Sequence, residues 1–255
     1  MAGERSGVAR NPGDESVAAA GSCAKLSRGA TALSPAGLSA TAAALYTSGP
    51  VLMRLLQKYR PFICPFELIL PVVPESARVL DVGCGGGLLL ALLAASGRLH
   101  VGVGFDSSEP AIKAARAMAR RAREKFPGVA LEFERIDVNA DWPTGQFDAV
   151  CIIDVMHHVP PSAWKGVLRL AFEKVRPGGV LVYKDMCREP AWRAWANRGH
   201  DLLLARQWIR YAPIAQIEVW CKELGMLLEQ RENAARWWYG HELRVFRRPG
   251  GGVAG

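Results

Sequence analysis

Val79-Leu80-Asp81-Val82-Gly83-Cys84-Gly85-Gly86-Gly87 runs from a short apolar stretch straight into a glycine-rich loop. The first part suits a strand enclosed on both faces. Gly83, Gly85 and Gly87 let the backbone turn sharply and approach a ligand closely. Leu88 to Ala95 then reads as a helix. Its first turn would present free N–H groups and a positive dipole end to whatever the loop holds. Many nucleotide sites share such a loop, so alone it names no ligand.

Downstream, short apolar runs alternate with longer amphipathic ones. His100 to Phe105 reads as a second strand and Pro110 to Lys125 as a second helix. Val129 to Arg135 is a third strand and Phe147 to Asp154 a fourth. Ala163 to Val175 is a helix, and Gly179 to Lys184 a fifth strand. This alternation calls for right-handed crossovers and a parallel sheet with helices on both faces. Leu202 to Tyr211 and Ile214 to Leu224 read as helices, the second closed by Gly225. Met226 to Gln230 and Glu242 to Phe246 are linked too briefly for a helical crossover. They should pair antiparallel across a long turn. The expected class is α/β: a doubly wound, mostly parallel seven-stranded sheet with an antiparallel last strand.

Asp106 ends the second strand, about twenty residues past the loop, where a carboxylate can accept hydrogen bonds from the ribose hydroxyls of an adenosine group. A nicotinamide dinucleotide would use it in the same way.

The loop spacing narrows the choice. Val79 to Gly87 resembles the first motif of class I S-adenosylmethionine-dependent methyltransferases, in which an acidic residue, here Asp81, precedes G-x-G-x-G. The dinucleotide fingerprint is G-x-G-x-x-G, and Leu88 occupies its last glycine. Gly104-Phe105-Asp106 resembles the family's ribose motif. Asp137 matches the acidic residue that contacts the adenine amino group. Phe147-Asp148-Ala149-Val150 and Arg176-Pro177-Gly178-Gly179 resemble the openings of the family's fourth and fifth strands. The reversed final strand is similar too. The resemblance covers roughly Arg78 to Phe246, and residues 46–249 are taken as the methyltransferase domain. It implies a Rossmann-like sheet and S-adenosylmethionine as cofactor. It also implies a cofactor shell of Asp81, Gly83, Cys84, Gly85, Gly87, Asp106, Ser107, Asp137, Val138 and Asp154.

Methyl transfer from a sulfonium needs an aligned nucleophile and excluded water. A base helps only where the acceptor is a hydroxyl or a protonated amine. In the resembling family the stretch after the fourth strand lies beside the methyl group and often carries a histidine. Here it reads Asp154-Val155-Met156-His157-His158-Val159-Pro160. His157 or His158 is either a general base or a histidine that only holds the loop. Asp185 either orients the acceptor or pairs with Lys184. Trp192, Trp195, Asn197, His200 and Asp201 lie where the family often covers its substrate. Like Trp237, Trp238 and Tyr239, the two tryptophans suit a flat, partly apolar acceptor or plain core packing.

The expected reaction is methyl transfer to oxygen or nitrogen, with carbon open, on a small-molecule or lipid-like acceptor. RNA or protein methylation, and a non-catalytic cofactor-binding protein, are the alternatives. Enzymes that methylate base amino groups in DNA carry Asn/Asp-Pro-Pro-Tyr/Phe after the fourth strand. Carbon-5 cytosine enzymes carry a Pro-Cys pair. Neither occurs here. Nucleic acid is therefore not favoured, although the net charge of +8 leaves RNA open.

The basic residues are spread out, and the densest cluster, Arg116 to Lys125, reads as a solvated helix face. Six scattered cysteines form no CxxC or zinc spacing, which fits a reducing cytoplasm. No tight carboxylate or histidine set indicates a metal. Residues 1–45, rich in Ala, Gly and Ser, read as a disordered tail. A flexible extension is favoured there over a transit peptide, and a secretory signal's apolar region is lacking. Order is expected from Thr41. Leu52, Leu55, Leu56 and Tyr59 fall at helical spacing, and Pro61 should stop that helix. The helix either packs on the sheet edge or forms a lid. Phe62 to Val73 reads as a buried approach segment in preference to one that touches a membrane surface, and no run of about 18 apolar residues predicts a membrane span. The sequence leaves the oligomeric state open.

Overall fold

The computed structural model describes residues 33–186, 210–236 and 239–250. Its centre is a seven-stranded sheet of order β3-β2-β1-β4-β5-β7-β6. The strands are β1 (Ala77–Val82), β2 (Leu99–Asp106), β3 (Ala130–Arg135), β4 (Phe147–Ile153), β5 (Val175–Met186), β6 (Leu227–Arg236) and β7 (Tyr239–Arg247). β7 runs antiparallel to both β5 and β6, and every other neighbouring pair is parallel. The chain winds outward from β1 in both directions, so a crevice opens at the carboxyl ends of β1 and β4.

The strands are apolar because both faces are covered. Val79, Cys151 and Val182 pack in one cluster, with α1 (Pro35–Leu45), α4 (Leu88–Ala95) and α5 (Glu109–Lys125). Leu80, Ile152 and Leu181 point into the other, against α6 (Trp164–Lys174) and α7 (Ile214–Glu223). Period-two alternation splits each strand between the two cores. α4 is enclosed from Leu88 to Ala94, which explains its nearly continuous leucine and alanine run.

Several boundaries differ from the expectation. Residues 35–45, read as tail, form α1. Ser34 caps it by accepting the Gly37 N–H at 3.2 Å, and Leu38, Ala42 and Leu45 are buried. The alanines that suggested a solvated tail are strong helix formers once three apolar residues have a core to enter. The rest of the expected tail, residues 1–32, lies outside the described residues, as do residues 202–209 of the expected Leu202 to Tyr211 helix, the Trp192 to Asp201 segment, Trp237 and Trp238; Arg210 and Tyr211 are not helical.

Pro61 does not stop its helix. α2 (Val51–Ile63) continues past it and closes where Cys64 N–H donates to Arg60 O at 2.8 Å. Proline disturbs only the last turn here, where few bonds remain to be lost. The short helix α3 (Phe66–Ile69) follows, and Cys64, Phe66, Ile69, Leu70 and Val73 are buried, as a covered approach segment should be. The final hairpin has no long turn. β6 runs on to Arg236, which pairs directly with Tyr239.

Part of the basic cluster has a structural task. Arg116 Nε donates to Phe133 O at 3.0 Å and Arg123 Nη2 to Leu131 O at 3.4 Å. Both carbonyls belong to the edge strand β3. Capping them with charged side chains blunts an edge that would otherwise template pairing.

Candidate functional site

The three alternating glycines of the loop adopt left-handed backbone, with φ of 64° at Gly83, 53° at Gly85 and 80° at Gly87. Such angles favour glycine over any residue with a Cβ. A Cβ on Gly83 would meet Val155 Cγ2 at 2.7 Å, and one on Gly87 would meet Phe133 Cζ at 2.7 Å. At Gly85 nothing lies within 4 Å. The loop is thus packed at both ends and open in its middle.

Asp106 is tied to that open middle. Its Oδ2 accepts the Gly85 N–H at 2.9 Å, and its Oδ1 accepts the Ser108 N–H at 2.8 Å. Cys84 N–H donates to Phe105 O at 2.9 Å, which locks the loop to the end of β2. Ser107 follows at the surface, its carbonyl held by Arg135. Asp137 lies exposed after β3, and its Oδ1 accepts both the backbone and side-chain N–H groups of Asn139 at 2.9 Å. Val138 packs on the core, and its carbonyl takes the Trp142 indole N–H.

Asp81 is buried beneath the loop. Burial pushes its carboxyl up to about 8, Arg60 pulls against that, and Asp106 adds to it.

Helix α2 settles across this loop. A Cβ on Gly86 would meet Gln57 Nε2 at 2.7 Å, and Gln57 is buried. Just before α2, Tyr46 donates its hydroxyl to Gly86 O at 2.7 Å. From the last turn of α2, Arg60 reaches Asp154 Oδ2 at 3.3 Å. Of the two readings open in the sequence, the structure bears out a covering helix rather than a sheet-edge one.

At the end of β4 the chain turns out of the sheet through Asp154, whose φ is 57°. Trp164 clamps the turn that follows, its indole N–H shared between Met156 O and Val159 O at 2.9 Å each. This directs His157 back toward β5. His157 Nδ1 and Asp185 Oδ1 lie 2.6 Å apart, with side-chain exposures of 4% and 6%. A carboxylate only accepts, so Nδ1 carries the hydrogen in this contact. Asp185 Oδ2 is buried without a partner among the described residues. His158 is exposed and stacks on His157 at 4.1 Å between ring centroids.

Lys184 does not pair with Asp185. It turns to the opposite face of β5 and meets Asp154 Oδ1 at 2.6 Å, with no exposure of its own. Burial opposes the charge on Asp154, but Lys184, Arg60 and His157 outweigh it and hold the carboxyl well below its usual range.

Residues 55–230 match a family described as the methyltransferase domain. The chain belongs to this methyltransferase family. A ubiquinone biosynthesis O-methyltransferase of Alkalilimnicola ehrlichii is 30% identical over 165 residues, covering 62% of this chain and 64% of that one. The match thus spans less than two thirds of that relative. The fold is shared with a magnesium protoporphyrin IX methyltransferase from Synechocystis PCC 6803, solved with bound SAH. That comparison has a TM-score of 0.59 at 18% identity and covers 80% of this chain and 90% of that one. An O-methyltransferase family protein from Burkholderia thailandensis gives a TM-score of 0.61 at 21% identity, with coverages of 78% and 61%.

Within this methyltransferase domain the structure gathers Asp81, Gly83, Cys84, Gly85, Gly87 and Asp106 at one end of the sheet. It joins His157 to Asp185 and leaves His158 at the surface. Tyr46, Gln57 and Arg60 escaped the sequence reading because they precede every recognisable motif. Only their helical context, with polar residues among leucines, could have signalled a contact.

Proposed function

We propose that this methyltransferase transfers a methyl group from S-adenosylmethionine to a hydroxyl of a small or lipid-like acceptor, with His157 as base. The buried His157–Asp185 pair carries this reading. A base matters most where the acceptor must lose a proton. The similarity to a ubiquinone biosynthesis O-methyltransferase supports oxygen as the acceptor atom.

The residues present fit the cofactor. Gly85 leaves open space where a side chain would project, an open cradle beside Asp106, which accepts its N–H. Gly83 and Gly87 shape the loop around that cradle, with Cys84 held between them. Asp106 would take the ribose hydroxyls, with Ser107 beside it. Asp137 and Val138 would meet the adenine, and Asp81 would sit under the charged end. When bound, the cofactor supplies an electrophilic methyl group.

The protein's own part is positioning and proton handling. Asp185 fixes the ring of His157 and favours the imidazolium that forms as Nε2 takes the acceptor proton. Its unpartnered Oδ2 can orient the acceptor. Tyr46, Gln57 and Arg60 bring α2 over the site, where it helps exclude water. Asp154, expected in the cofactor shell, has both oxygens engaged by cations, and we assign it to holding the lid. No helix among the described residues is long and apolar enough to cross a membrane. The free buried cysteines Cys64, Cys84, Cys151 and Cys221 support a cytoplasmic setting.

The test is incubation with methyl-labelled S-adenosylmethionine and a fractionated extract of the host. Label in the small-molecule or lipid fraction is expected. Label only in RNA or protein would overturn the acceptor class.

A further inference from the structure

α2 is built inside out. It buries its polar Gln57 together with Pro61, while Val51, Leu52, Leu55, Leu56, Tyr59 and Ile63 are exposed by 38–69%. At about 100° per residue, these six fall within an arc of roughly 140°. Gln57 and Pro61 lie nearly opposite its centre. The apolar stripe therefore points directly away from the rest of the described residues.

Charge frames the stripe. Arg54 and Lys58 flank one side by the same helical count, Arg60 on the other side is turned to Asp154, and the helix carries no acid. Val51, Leu55, Arg54 and Lys58 also line a shallow groove between α2 and α1, with Ala43 and Tyr46 behind them. An apolar stripe bordered only by cations is the pattern of a helix that lies in the plane of a bilayer, its cations among anionic headgroups. A second copy of this chain fits the surface less well. It would set the same cations against themselves in a two-fold contact, on a protein already at net +8.

We infer that α2 docks the protein onto an anionic membrane surface, with the apolar stripe in the interfacial layer. The lid over the glycine loop is then also the membrane-facing element. The inference stands apart from the proposed reaction, because its test needs no methyl transfer.

The test is co-sedimentation of the full chain with phosphatidylcholine vesicles, with and without added phosphatidylglycerol. Binding to the anionic vesicles that weakens with salt is expected, with little binding to the neutral ones. Leu52→Ser/Leu56→Ser should lower the partition coefficient by more than about tenfold, and Lys58→Gln by about fivefold. Far-ultraviolet circular dichroism and melting should stay unchanged, since these side chains are exposed. No sedimentation with anionic vesicles would overturn the inference. So would binding that the Leu52/Leu56 variant retains in full, or a dimer in light scattering that this variant dissolves.

Discussion

Lys184 Nζ stands 2.6 Å from Asp154 Oδ1, while Arg60 approaches the other oxygen of the same carboxylate from helix α2. One part-buried anion thus joins the end of β5, the end of β4 and the covering helix. Removing Lys184 takes away the buried cation and leaves Asp154 to the half-exposed Arg60 alone. We expect Lys184→Met to destabilise the fold by about 1.5–3 kcal/mol in urea unfolding.

The same pair sets an acid limb. Its folded carboxyl is held below the ordinary value of 3.8, so its stabilisation is present above that value and lost as pH falls through the folded one. Acid unfolding of the wild type should therefore show a limb below about pH 4 that flattens in Lys184→Met. An identical limb in both would assign acid sensitivity elsewhere.

Asp81 carries the opposite sign. Its folded value is raised from 3.8 to about 8, so the contribution present below 3.8 is lost as pH rises through about 8. The slope is at most about 1.4 kcal/mol per pH unit within that window. Asp81→Asn should lack this decline when melting temperatures are compared between mildly acidic and mildly alkaline buffers. A parallel decline in both proteins would remove Asp81 as its source.

The glycines of the loop separate folding from binding. Gly83→Ala places a Cβ against Val155 in left-handed backbone and should cost about 1–3 kcal/mol of stability. Gly85→Ala shares the backbone strain but meets no neighbour. It should lose only about 1–2 kcal/mol of stability yet weaken cofactor binding by about tenfold or more in calorimetry. Equal effects of the two on both quantities would contradict the open cradle at Gly85.

The strand–loop–helix order was legible because both-face burial forces continuous apolar strands, and because G-x-G-x-G needs three left-handed residues. Pro61 and residues 35–45 misled for physical reasons. A proline in a last turn has little left to break, and alanine-rich sequence becomes helix wherever leucines find a core. The pairing of Lys184 with Asp154 was hidden because neighbours on a strand face opposite sides. The nearest acid in sequence, Asp185, therefore points away from Lys184. His157 could be singled out over His158 only once Trp164 had fixed the turn between them and the sheet.

Turnover set against cofactor affinity in His157→Ala tests the base most directly. We expect kcat to fall by about 10²–10⁴-fold while the Kd for S-adenosylmethionine changes by less than about twofold. Asp185→Asn should lower kcat in the same direction by a smaller factor. Unchanged turnover in His157→Ala, with the protein folded and the cofactor bound, would contradict the assignment of His157 as the base.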